Sequence, residues 1–311
     1  MTPLIFGIDH GNGNIKTENN VFPCGLVKLA TKPIRILSED ILEYNGSYYM
    51  LSDNRLPLKK DKSTDEDYFI LTLFAICKEA ESRNIQTLTG KELVLCVGLP
   101  PADYNAQAES FKKYFLERGK YGLSLSFNNK KMNFKIIDCV ATLQNFAAIT
   151  CFKSNLLIEN KKVFCIDIGE GTVDLLIFKK GMPDLSVKVS NKNGLSILKT
   201  EIINRVQQDF NYDLEADDVE EILNTGDSLL GEEVVSLIQK ITEDWMNNVI
   251  NELHAYVKDF RTNYTVFVGG GSIMLKKLIE KSEEFSSIEF IEDIRANAIG
   301  YAQMAKIKYA S

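Results

Sequence analysis

Short apolar runs alternate along the whole chain with longer stretches of helical spacing. Strands are predicted at 4–8, 14–18, 92–98, 133–138, 163–168, 172–179, 185–190 and 264–268, and helices at 66–82, 103–118, 140–152, 195–210, 216–224, 231–260 and 293–307. In 66–82, Phe69, Ile70, Leu73, Phe74 and Cys77 fall on one helical face. In 103–118, Phe111, Tyr114 and Phe115 do so, with Asp103 or Asn105 available as a cap. Strands interleaved with helices in this way define an α/β protein. Two regions break the pattern. Residues 25–65 hold Pro33, Pro57, the turn signal Asn45-Gly46 ahead of Tyr48, Tyr49 and Met50, and the start of a charged run from Lys59 to Asp67. They read as a small β-hairpin subdomain with a solvated loop. Residues 191–262 are almost wholly helical and read as a second insertion. Leu99-Pro100-Pro101 ends a strand sharply and marks a boundary.

Comparison of the two halves exposes an internal repeat. Residues 9–16 read Asp-His-Gly-Asn-Gly-Asn-Ile-Lys and residues 167–174 read Asp-Ile-Gly-Glu-Gly-Thr-Val-Asp. Both fit D-x-G-x-G-[NT]-[IV]-x, and each follows an apolar strand. Glycines permit tight turns and close backbone approach, and successive N–H groups in such a turn make an anion-binding concavity. An Asp at the end of the preceding strand suits Mg²⁺ held through its waters. Lys16 lies where a cation on the outgoing strand reaches a phosphate. The plainer reading is two ordinary hairpins whose Asp and Gly only build the turn. A third glycine-rich element, Gly269-Gly-Gly-Ser272, follows the strand 264–268 and precedes a helix-like stretch from Ile273 to Lys281. Neither G-x-G-x-x-G nor G-x-x-x-x-G-K-[ST] occurs, so the Rossmann and P-loop readings lack their motifs.

Composition narrows the class further. The 311 residues suffice for about two domains of ordinary size. With 45% hydrophobic and 25% charged residues, the chain has the mix of a folded globular protein. A formal net charge of −7 argues against a broad nucleic-acid-binding face. No apolar run approaches the ~20 residues of a membrane span. The N-terminal Met-Thr-Pro-Leu-Ile-Phe-Gly-Ile-Asp lacks a basic leader and reads as a first strand, so a cytoplasmic location is expected. Six scattered cysteines without C-x-x-C, and two distant histidines, give little support for a zinc site, and the cysteines read as reduced, buried thiols. His10 reads as a polar turn residue.

The order of elements resembles the actin and heat-shock-chaperone ATPase superfamily. That order is a first glycine loop (Asp9–Lys16), a Gln-bearing helix (Gln144), a second loop (Asp167–Asp174), the Gly269–Ser272 loop and a terminal helix opening Arg295-Ala-Asn-Ala-Ile-Gly-Tyr301. Within it, Val97-Gly-Leu-Pro100, Ala296–Gly300 and Lys62–Leu73 are similar to bacterial actin-like proteins of the ParM type, which segregate plasmids. The resemblance runs from Phe6 to Ala305. It implies an actin-like (ribonuclease H-like) duplicated fold, with two halves around a nucleotide cleft and a subdomain inserted in each. The halves would be 1–155, with an insertion at about 25–85, and 156–311, with an insertion at about 191–262. The terminal helix 293–307 would pack back on the first half.

The resemblance also implies roles. Asp9, Gly11, Asn12, Gly13, Asn14 and Lys16 would hold the β- and γ-phosphates of ATP, or of GTP. Gly169, Glu170, Gly171 and Thr172 would hold them from the other side. Asp9 and Asp167 would hold Mg²⁺ through water. Gln144 would position the attacking water, with Asp167 and Asp174 completing the catalytic set. Gly269, Gly270, Gly271 and Ser272 would meet the adenosine and α-phosphate. Three departures stand out: Leu143 where relatives have Pro, the acid Glu170 in the second loop, and no alignable adenine-contacting helix near Asp218–Asn224. An acid beside phosphate needs its side chain turned away. The implied function is a slow Mg-dependent ATPase that polymerises with ATP and disassembles after hydrolysis. It would move plasmid DNA through a ParR-like DNA-binding adaptor, without direct nucleic-acid or membrane contact. The alternatives are a sugar- or acetate-type kinase, for which no base or substrate motif is seen; a chaperone-like switch, although no substrate domain follows Ser311; and a cell-shape or division scaffold.

Overall fold

In the computed structural model, residues 2–33, 40–59, 61–64, 66–187, 189–226 and 228–310 are described. The chain divides into two compact units, residues 1–152 with 294–311, and residues 153–293. Parts of the predicted subdomain at 25–65 and of the Lys59–Asp67 run lie outside the described residues.

The first unit opens with β1 (Leu4–His10), β2 (Asn14–Lys16) and β3 (Val21–Pro23), an antiparallel meander. It continues through β4 (Leu26–Leu29), β5 (Ile41–Tyr44), β6 (Ser47–Leu51), α1 (Asp67–Ser82), β7 (Lys91–Leu99), α2 (Tyr104–Gly119), β8 (Leu123–Phe127), β9 (Lys130–Leu143) and α3 (Phe146–Phe152). Strand order among the described residues is β3-β2-β1-β7-β9-β8-β5-β6-β4. The β1–β7 and β7–β9 pairs are parallel, and Phe6, Ile8, Leu93, Leu95 and Val97 are fully buried, as the central strands of a covered sheet require. Helix α1 is apolar nearly all round, and Tyr68–Cys77 are all buried. The Asn45-Gly46 turn has both residues at positive φ (49° and 74°) and joins β5 to β6, as its sequence predicts.

The second unit holds α4 (Ser154–Glu159), β10 (Lys162–Ile168), β11 (Val173–Lys179), β12 (Met182–Pro183), β13 (Val189–Asn191), α5 (Leu195–Phe210), α6 (Ala216–Thr225), α7 (Glu232–Leu253), β14 (Tyr264–Val268), α8 (Gly270–Met274), α9 (Lys276–Lys281) and β15 (Ile288–Phe290). Its sheet runs β12-β11-β10-β14-β15, with β13 also on β11. The first strand after the unit's start again pairs antiparallel with its successor and parallel with a later strand. The pattern β2-β1-β7 thus recurs as β11-β10-β14. The last helix, α10 (Ala296–Ala310), belongs to the first unit and packs on β1, β7 and α3.

Several boundaries differ from expectation, each for a local reason. The helix predicted at 140–152 begins only at Phe146, because β9 runs on to Leu143, pairing Cys139–Leu143 with Leu95–Leu99 of β7. The strand predicted at 14–18 stops at Lys16, where Thr17–Asn20 turn back to β3. The strand predicted at 185–190 is confined to Val189–Asn191 in the described residues. Asp184 accepts from the N–H and hydroxyl of Ser186, forming a local turn in its place. The long helix predicted to 260 ends at Leu253, and the stretch after Gly269 is broken at Leu275 into α8 and α9.

Candidate functional site

The eight-residue repeat is a repeat of register. Asp9 pairs directly with Lys16 across β1–β2, and Asp167 pairs directly with Asp174 across β10–β11. Residues opposite one another on antiparallel strands share a face, so positions 1 and 8 of each motif meet beside the glycine turn. In the first unit the meeting is an ion pair, with Lys16 Nζ 3.4 Å from Asp9 Oδ2. In the second it brings together two buried carboxylates. Thr172 Oγ1 donates to Asp174 Oδ2 at 3.0 Å.

The backbone of each loop is turned by identifiable partners. In the second loop, the carbonyls of Gly169 and Glu170 accept from the N–H groups of Leu195 and Ser196 (3.1 and 2.9 Å) at the start of α5. A trans peptide holds its C=O and N–H on opposite sides, so the N–H groups of Glu170 and Gly171 face away from α5. Gly194 is required for this fit: a Cβ there would lie 2.5 Å from loop backbone atoms at Glu170, Gly171 and Thr172. In the first loop, a Cβ on Gly11 would lie 2.6 Å from the Asn14 carbonyl. Asn12 Oδ1 is buried with no hydrogen-bond partner, a polar atom suited to a ligand or a water.

Gln144 is not on a helix. It lies in the turn between β9 and α3, where its N–H donates to the Leu99 carbonyl (3.0 Å) and its Nε2 to Asp9 Oδ1 (3.1 Å). Asn145, at φ 67°, makes the bend and donates its N–H to Asn297 Oδ1 of α10 (2.8 Å). The first loop, Gln144 and the terminal helix are therefore joined within one unit.

The Gly269–Ser272 element follows β14, the parallel neighbour of β10. Gly269 has φ 89°, and a Cβ on it would stand 2.1 Å from Asp167 Oδ1. Gly271 packs against Ile168, where a Cβ would be 2.5 Å from its side chain. Gly270 alone is exposed, with nothing within 4 Å of a Cβ, and is the open edge of the loop. Ser272 is buried and donates its hydroxyl to the Val268 carbonyl at 2.5 Å, so that group holds the loop to its strand.

Glu170 is turned away from its loop. Its carboxylate lies 2.7 Å from Lys199 Nζ on α5, which in turn lies 2.6 Å from Glu220 on α6. Lys199 is 3% exposed, and one buried cation thus neutralises the loop's acid and ties it to α6. His10 departs from its expected role as a turn residue. It is the buried end of β1, bonded through Nε2 to Thr72 Oγ1 (2.8 Å) and enclosed by Tyr68, Phe111 and Phe115. Burial, aided by the charge of Lys62, lowers its pKa to about 3, so it is neutral at ordinary pH. Gly194, Lys199, Arg55, Lys62 and Asn145 escaped sequence reasoning. For Gly194 and Asn145 the available signals were a glycine before a predicted helix and an Asn beside Gln144.

A duplicated β-hairpin fold, with a glycine turn at each doubled strand end, defines an actin-like architecture. The model for the N-terminal domain of actin-like proteins matches residues 7–146, and that for the C-terminal part of the archaeal MreB-like actin homologue matches residues 165–281. Together they span most of the chain, which belongs to the actin-like proteins. Among solved structures, the archaeal actin homologue Ta0583 superposes with TM-score 0.81 at 18% identity, over 98% of this chain and 99% of that one. Its complex with ADP gives TM-score 0.77 over the same shares. The ParM of a 15-stranded filament from Clostridium botulinum gives TM-score 0.77 at 17% identity, over 99% of this chain and all of that one. At these identities the likeness is one of fold. No curated protein matches the sequence.

Proposed function

We propose that this chain is an ATP-hydrolysing, filament-forming actin-like protein, and that its two glycine hairpins are the phosphate-binding loops. The observation that carries the reading is the doubled register: the same eight-residue hairpin stands in both units, at the end of the strand that pairs parallel with a later one. The fold likeness to Ta0583, solved with ADP, and to a ParM filament supports it.

The residues fit a nucleotide with Mg²⁺. Loop carbonyls are engaged from behind, which frees N–H groups for phosphate oxygens. Asp9 in the first unit and Asp167 in the second are each a buried carboxylate on the strand that enters a glycine loop, the type of ligand that a hard cation keeping its waters takes. Mg²⁺ bound with the nucleotide neutralises phosphate charge. Lys16 adds a cation beside the first loop. Gln144, its Nε2 engaged by Asp9, presents Oε1 to orient an attacking water. A neutral amide is a weak base, so slow turnover follows, which suits a filament timer. On this reading, ATP favours assembly and hydrolysis weakens it, in the cytoplasm, with plasmid DNA as cargo through a DNA-binding adaptor.

The test is phosphate release by the purified chain with ATP and with GTP. Gln144→Ala is expected to slow release by about a hundredfold while nucleotide binding persists. Release at the wild-type rate would remove Gln144 from the reaction. No release by wild type with either nucleotide would overturn the ATPase reading.

A further inference from the structure

The two hairpin loops are backed in different ways. The second rests on the start of α5, whose N–H groups take its carbonyls. Among the described residues, no α-helix start donates its backbone N–H groups to the first. Its carbonyls at His10 and Gly13 are taken instead by two cationic side chains from the segment between β6 and α1. Lys62 Nζ donates to the His10 carbonyl, and Arg55 Nε donates to the Gly13 carbonyl at 3.1 Å. Cys24 N–H shares the Gly13 carbonyl at 3.0 Å, a second donor that helps fix its direction. Both cations are half-buried, and the Lys62 ammonium also lies 5.3 Å from the centre of the Tyr68 ring at the start of α1.

We propose that Arg55 and Lys62 are positioning residues of the first phosphate loop: a two-cation clamp that sets the loop for a polyphosphate and couples nucleotide binding to residues 55–62. The proposal rests on the reading of that loop as phosphate-binding. Three physical steps carry it. The two gripped carbonyls flank Gly11, Asn12 and Gly13, the residues with least intrinsic reason to hold one conformation. Because each peptide is planar and trans, gripping the His10 and Gly13 carbonyls turns the N–H groups of Gly11 and Asn14 the opposite way. The clamp also sets two positive charges behind the loop, which strengthens its attraction for an anion in proportion to the anion's charge. ATP therefore gains more from the clamp than ADP.

Reciprocity follows from linkage. If the clamp improves nucleotide affinity, the nucleotide stabilises the clamp by the same factor, and with it the segment carrying Arg55 and Lys62. A triphosphate leaving the loop would loosen the grip of Arg55 and Lys62, so these two residues report the state of the nucleotide to the outside of the unit.

The experiment compares wild type, Arg55→Gln, Lys62→Gln, Lys62→Arg and, as a charge-matched control, Lys32→Gln at an exposed position of the same unit. ATP and ADP affinities are measured by calorimetry. Amide exchange of residues 55–64 is followed by mass spectrometry with and without the non-hydrolysed analogue AMPPNP. Hydrogen bonds to charged groups predict about a tenfold loss of ATP affinity for each Gln variant, a smaller loss for ADP, and little change for Lys32→Gln. Lys62→Arg is expected to restore most of the affinity. AMPPNP slows exchange at 55–64 in wild type and not in the Gln variants. A purely structural role for the two residues would lower both affinities equally and leave AMPPNP protection intact, which overturns the proposal. Unchanged affinities in folded Gln variants overturn it as well. If wild type binds neither nucleotide, the phosphate-loop reading falls and the clamp with it; if wild type binds and the variants match it, the clamp alone falls.

Discussion

Glu79 shows how one buried charge shapes the strand end beside the first loop. It has no exposed surface, yet its carboxylate accepts from Thr17 Oγ1 (2.5 Å), Asn19 N (3.0 Å) and Nδ2 (2.6 Å), Asn20 Nδ2 (3.1 Å) and Arg83 Nε (2.7 Å). Burial by itself would push its pKa up; the bonds from Thr17, Arg83 and Asn19 and the Arg83 charge outweigh burial and hold it below the ordinary range. A depressed carboxylate contributes stability that is complete above its unfolded pKa, about 4.3, and that is lost as pH falls through the lower folded value. Glu79→Gln is therefore expected to destabilise the protein at pH 7 by about 3 kcal/mol. It should also remove part of the acid sensitivity of wild type. Urea unfolding from pH 7 down to pH 3 checks both, and a variant as stable and as acid-sensitive as wild type would contradict the account. At this scale the sequence was informative wherever chemistry and register coincide. The two hairpins that pair Asp9 with Lys16 and Asp167 with Asp174 were legible because a motif of eight residues is also a hairpin of fixed pairing. Arg55, Lys62 and Glu79 were not, because each acts on residues tens of positions away. A charged run such as Lys59–Asp67 looks like solvated loop until one of its members is seen on a loop carbonyl.

Helix α10 illustrates the next scale. It belongs to the first unit although it closes the chain, and it approaches β1 and β7 through glycines. A Cβ on Gly7 would lie 2.1 Å from the Ala298 carbonyl, and one on Gly98 would lie 1.9 Å from the Tyr301 hydroxyl. Neither glycine has a positive φ, so close packing is what each is needed for. Gly7→Ala is expected to cost about 3 kcal/mol as the helix is forced outward. Exchange of α10 amides should rise more than exchange of β14 amides in the other unit. Equal stability to wild type would show that the helix is not seated as described. The helix itself was legible from its spacing, and so were most central strands. The end of β9 was not, because what extends it to Leu143 is its pairing with β7, a partner more than thirty residues back. Gln144 consequently moves from a helix to a turn, which is where a side chain can reach Asp9.

For the whole molecule, the duplicated architecture and the family matches agree on an actin-like protein. On the proposed function, copies of this chain contact one another in a filament. Such contacts in a filament are heterologous and non-closing. The central claim is that nucleotide state governs assembly, and sedimentation tests it most directly. Purified protein is centrifuged with ATP, GTP, ADP and no nucleotide, over a range of protein and salt concentrations, and sampled through time. The account predicts polymer in the pellet with the hydrolysable triphosphate above a threshold concentration, returning to the supernatant as phosphate accumulates, and little with ADP. Absence of polymer with both triphosphates under every condition, or polymer indifferent to nucleotide, would contradict it.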